Sequence, residues 1–163
     1  MDSAERLARV QQLLAGLPGP YGNGHLWTFI GFVAGEGPFT DVFAFLIDCG
    51  VITSASPSGG PPQAPRDAEE LTVRLREVDP DAALAVLVGM TSCTLAYRVP
   101  GRYPVDRAQK LFEMLVTLLG HGTRWWTNTD PGSWKPVTRH PMDTLVVGTG
   151  GGVLVAVLAA DED

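Results

Sequence analysis

A chain of 163 residues, 45% hydrophobic and 18% charged, carries enough apolar surface to offset chain entropy, which excludes a disordered polymer and fits one globular domain spanning 1–163. Eighteen acidic against twelve basic residues leave a formal charge of -6, a field that disfavours nucleic acid and anionic lipid as partners. The opening Met1-Asp2-Ser3-Ala4-Glu5-Arg6 lacks the cationic start and apolar run of an export signal, so a cytoplasmic location is expected.

Asp2 with Glu5 three residues on forms a capping box, and Leu7, Val10, Leu14 and Leu17 follow at helical spacing, predicting an amphipathic helix from about Ser3 to Ala15. Prolines and glycines make 17–24 a loop. His25 to Ala34 is aromatic and β-branched and reads as a buried strand, ending at the turn Gly35-Glu36-Gly37-Pro38. From Asp41 to Cys49, Thr40 as cap and Gly50 as exit favour a short helix, although Phe43, Phe45 and Ile47 also alternate as a strand would. Residues 53–66 are rich in Pro, Gly and Ser without apolar periodicity, which predicts a flexible loop within the domain.

Asp67 and Glu70 repeat the capping box, and Leu71, Leu75 and Val78 line one face of a helix that Pro80 ends. Ala82 to Met90 is apolar throughout and fits either a helix started by Asp79-Pro80 or a central strand. The β-branched and aromatic content from Thr91 to Tyr97 favours a strand there. Pro104 then opens the clearest helical stripe, Ala108, Leu111, Phe112, Leu115, Leu118 and Leu119, closed by Gly120. Thr144–Val147 and Val153–Leu158 flank the glycine run 148–152 as a C-terminal β-hairpin buried on both faces, and Asp161-Glu162-Asp163 reads as a solvated tail. The order of elements indicates an α+β domain, a mostly antiparallel sheet covered by about three to four helices.

The chemical motifs are negative. The glycine run lacks the third glycine of a dinucleotide fingerprint, since Val153 stands there, and no phosphate-loop Gly-Lys pair exists, so no cofactor is expected. The uncharged span 144–160 is short and glycine-broken for a membrane helix. His25, His121 and His140 have no ligand spacing to Cys or carboxylate, so no metal is expected. Cys49 and Cys93 read as buried thiols. A nucleophilic Ser92 or Cys93, with His121 or His140 as base and Asp130 or Asp143 as orienter, has no supporting motif. The carboxylate pairs Glu69-Glu70 and Asp79/Asp81 sit at helix starts, where capping accounts for them.

One stretch stands out. Arg124, Trp125, Trp126, Trp134, Lys135, Arg139 and His140 concentrate indoles and cations as recognition surfaces do. If Trp125 and Trp126 lie on a strand, one faces inward and its neighbour is partly exposed. The expected role is a small acidic protein-binding module, of the size and charge of immunity proteins, antitoxins and adaptor subunits, with that stretch as the partner-binding surface. Self-association through the apolar hairpin is a companion reading. The alternative is a small-molecule enzyme or binder with a Trp-roofed pocket and His140 as acid/base.

Overall fold

The computed structural model describes residues 1–35, 37–52, 64–95, 98–130 and 133–161. Five helices, α1 (Ser3–Leu14), α2 (Pro38–Asp48), α3 (Ala68–Arg74), α4 (Pro80–Ser92) and α5 (Val105–Leu119), surround a six-stranded sheet. Its strands are β1 (Gly19–Tyr21), β2 (Gly24–Phe32), β3 (Arg76–Val78), β4 (Arg124–Thr127), β7 (Met142–Gly150) and β8 (Val153–Asp161), in spatial order β1-β2-β8-β7-β4-β3. Every pairing is antiparallel. A separate two-stranded ribbon joins β5 (Thr129–Asp130) to β6 (Ser133–Trp134). The architecture is the α+β domain with a C-terminal hairpin that the sequence predicts.

The side chains of β8 alternate between two cores. Val153, Val155, Val157 and Ala159 pack against α1, α4 and α5, while Leu154, Ala156 and Leu158 join Val42, Phe45, Leu46 and Leu71 from α2 and α3. A strand of period two with helices on both faces is buried on both, which favours apolar residues throughout, and all nine residues of β8 are buried. That includes Asp161, which the sequence reading placed in a solvated tail; Glu162 and Asp163 lie outside the described residues. Glycine is required at the hairpin turn, where Gly151 and Gly152 have φ of 57° and 82°. The turn is thus two residues, and Gly148 and Gly150 belong to the strand.

Helix starts follow the caps. The carboxylates of Asp2, Asp67 and Asp79 accept hydrogen bonds from the backbone N–H of Glu5, Glu70 and Ala82. The Asp79 cap with Pro80 behind it resolves 80–92 as a helix, and 41–48 is helical too, but Thr40 is not its cap: α2 starts earlier, at Pro38 after Gly37, with no side-chain cap, because proline is pre-set for the first helical position. Other boundaries differ from expectation. The 17–24 loop holds β1, which turns through Gly22 and Asn23 into β2. The helix from Asp67 ends at Arg74, and Val78 lies instead on the edge strand β3. The strand expected from Thr91 to Tyr97 does not form: α4 runs on through Ser92, and Cys93 makes a single bridge to Pro100, with Ala96 and Tyr97 outside the described residues. Of the expected flexible loop, 53–63 lies outside the described residues, whereas Ala64 and Pro65 are buried.

Candidate functional site

The segment between β4 and β7 is ordered by one carboxylate. Asp143, 2% exposed at the start of β7, accepts at Oδ1 from Asn128 Nδ2 (2.8 Å) and at Oδ2 from Thr138 N (2.8 Å) and Thr138 Oγ1 (2.7 Å), with Val137 N 3.2 Å from Oδ2. Asn128 extends the knot, donating to the Lys135 carbonyl and accepting from Leu145 N, both at 2.8 Å. Burial pushes the Asp143 carboxyl above its ordinary range, outweighing the hydrogen bonds from Thr138, Val137 and Asn128 that pull it down. Its donors are almost all N–H groups, and burial removes water as their alternative, so this residue holds the loop in place.

Trp134 hangs from the same knot. Its indole N–H donates to the Asp143 carbonyl oxygen at 2.8 Å, with Oδ1 at 3.3 Å, yet the ring is 41% exposed. Beside it, Met142 is also 41% exposed. The two line a cleft of about 310 Å³ whose other walls include Val86, Met90 and Leu95, with Cys93 and Arg98 also lining it. That volume is at the small end for a ligand pocket and suits one inserted side chain. Arg98, exposed, holds a φ of 56°, a left-handed conformation uncommon outside glycine.

The seven residues proposed from sequence do not form one surface. Trp125 is 1% exposed and Trp126 8%, so the expectation that one ring of the pair faces solvent is corrected: both faces of the sheet carry helices, and each indole enters a different core. Trp125 rests on Gly148, where a β-carbon would collide with its ring. His140, 6% exposed, is also interior; its ring lies 6.3 Å from that of Trp27, and it is not among the residues lining the cleft. Arg124 is exposed but paired in two hydrogen bonds with Glu77, and its guanidinium lies 5.0 Å above the ring of Trp126. Its partner on β7 is Thr149, six residues from Asp143 and so about 20 Å up the sheet from Trp134. Arg139, exposed, reaches instead toward the α2 exit, where its backbone N–H donates to the Val51 carbonyl at 2.8 Å. Of the seven, only Trp134 lines the cleft; Lys135, next in sequence, lines a separate hollow with Arg74 and Arg76.

Two further hollows are less specific. An open groove of about 840 Å³ between α1 and α5 has Arg9 paired with Glu5 and Glu113 with Gln109. A smaller one of about 220 Å³ holds Arg74, Arg76 and Lys135, with Arg74 committed to Glu70 and the Pro136 carbonyl. Among the described residues there is no cluster of His, Cys, Asp and Glu able to hold a metal, and no helix is long and apolar enough to cross a membrane. No family model, curated relative or solved structure matches the chain.

Sequence reasoning missed Asp143 as the organiser, naming it only as one partner for a histidine. Its signal was present: an acid opening an otherwise uncharged strand must be either exposed or saturated with donors.

Proposed function

We propose that this protein is a binding module that recognises another protein by receiving an apolar side chain in the cleft beside Trp134. The observation that carries the reading is the fixed exposure of that ring. An aromatic left 41% exposed while its N–H is held by a buried residue is pre-organised, so little side-chain entropy is lost when a partner covers it. Val86, Met90, Leu95 and Met142 supply an apolar lining, and methionine adapts to varied shapes. Arg98 in the wall is cationic, so the partner segment carries an acidic residue next to its apolar anchor. An adaptor or an immunity-type binder would use such a surface.

The test is a selection of random peptides displayed on phage against the immobilised protein, counter-screened on Trp134→Ala. The reading expects enriched peptides with a large apolar residue flanked by Asp or Glu, and loss of binding to the variant. Absence of enrichment, or peptides that bind both proteins equally, would contradict it. The alternative of a pocket enzyme using His140 has no comparable support, because that ring is interior and outside the cleft lining.

A further inference from the structure

The outer edge of β2 is open. β1 pairs only with Gly24–Leu26, while β8 pairs with the full length of β2, so the stretch from Trp27 to Phe32 has a neighbour on one side only among the described residues. None of these six residues is buried, although every residue of the adjacent β8 is.

Which backbone groups face outward follows from the turns. Gly150 and Val153 close a two-residue turn and exchange hydrogen bonds, so along β8 the odd-numbered residues bond to β7 and the even-numbered ones to β2. Leu154 is opposite Gly31 and Ala156 opposite Phe29, so the odd residues of β2 bond inward. The turn at Gly22 and Asn23 gives the same answer independently, since Tyr21 and Gly24 close it and Gly24 therefore faces β1. The N–H and C=O groups of Thr28, Ile30 and Phe32 consequently point out of the sheet.

Such an edge pairs readily with another strand, and proteins that avoid pairing place charge, proline or a bulge there. From Trp27 to Phe32 the chain has none of the three: the residues are Trp, Thr, Phe, Ile, Gly and Phe, in continuous register with β8. We propose that β2 is a homodimer interface, in which the edges of two copies pair antiparallel about a two-fold axis through Ile30. The occupant is a second copy because the opening fits it. β1 blocks the edge at Leu26, leaving 28–32 available, and a second copy presents a strand limited in the same way. A longer foreign strand would run into β1.

Symmetry also suits the side chains. Centred on Ile30, the pairing sets Ile30 beside its own copy, Thr28 opposite Phe32 and Phe29 opposite Gly31, with no charges opposed. Phe32, 52% exposed, is covered. The apolar C-terminal hairpin, the element the sequence suggested for self-association, offers no such edge, because β8 and β7 are flanked by β2 and β4 and buried on both faces.

Sedimentation equilibrium over a hundredfold range of concentration tests this, using the full chain with Thr28→Pro and Phe32→Lys. The Thr28 N–H points outward, so proline there removes an intermolecular bond and leaves the β8 ladder intact; lysine at exposed Phe32 puts a charge on the edge, opposite Thr28 of the second copy, where strand pairing would have to desolvate it. The expected result is a wild-type mass rising from one chain to two with concentration, and both variants fixed at one chain with unchanged circular dichroism. If Thr28→Pro does not fold, Phe32→Lys alone decides. A wild-type chain that stays monomeric throughout, a dimer that persists in the folded variants, or growth beyond two chains would overturn the proposal.

Discussion

The indole N–H of Trp134 is anchored 2.8 Å from the carbonyl oxygen of Asp143, so the most exposed tryptophan of the 124–140 stretch is held by a deeply buried acidic residue just beyond it. The residue that orders the loop and the ring proposed to contact a partner are therefore neighbours that can be altered separately.

Replacing Asp143 with asparagine keeps the volume but turns one acceptor oxygen into a donor facing the N–H groups of Val137 and Thr138. Leaving a buried donor unpaired costs about 1–3 kcal/mol, and a loss of about that size is expected in urea unfolding. The emission of Trp134 should shift to longer wavelength in the folded variant as its anchor loosens.

The pH dependence has a defined sign. Because burial raises the Asp143 carboxyl above its unfolded value, the folded chain holds the proton more tightly, and this residue's contribution to stability falls as pH rises from the ordinary carboxyl range through the folded value. Asparagine does not titrate. The stability advantage of wild type over Asp143→Asn should therefore grow on acidification toward pH 4, measured by urea midpoints at each pH; a constant difference would remove burial as the cause.

Gly148→Ala should destabilise the fold by about 1–3 kcal/mol, because the added carbon meets the ring of Trp125, which is 1% exposed and has nowhere to move. The urea midpoint reports it. Trp125→Phe in the same background relieves the collision and should recover part of the loss.

These relationships divide what the sequence discloses from what it hides. Asp2, Asp67 and Asp79 announce helix starts because a cap is a local interaction over three residues. Gly151 and Gly152 announce a hairpin for the same reason, as only glycine adopts both dihedrals without strain. The apolar run 82–90 is ambiguous because a helix buried on several sides and a central strand share one composition. Trp125 and Trp126 were misjudged through a rule of alternation that holds for a sheet with one wet face, and α2 and α3 cover the second face from distant parts of the chain. For Asp143 the sequence shows an acid opening an uncharged strand but not its partners, because Asn128, Val137 and Thr138 converge on it only after β7 and the preceding loop have folded.

The two thiols should differ. Cys49 is pushed up to about 11 by burial and the neighbouring Asp48, cutting its thiolate about a hundredfold below that of an ordinary cysteine at neutral pH. Cys93 lines the Trp134 cleft. Iodoacetamide should modify Cys93 first, read by peptide mass mapping, and a peptide seated in the cleft should protect Cys93 without changing Cys49.

The most direct measurement is titration calorimetry of a cleft-selected peptide against wild type and Trp134→Ala. A hot-spot aromatic contributes at least about 2 kcal/mol, so affinity should fall about thirtyfold or more while the urea midpoint moves little. Equal affinity for the two proteins, with both folded, would contradict the account.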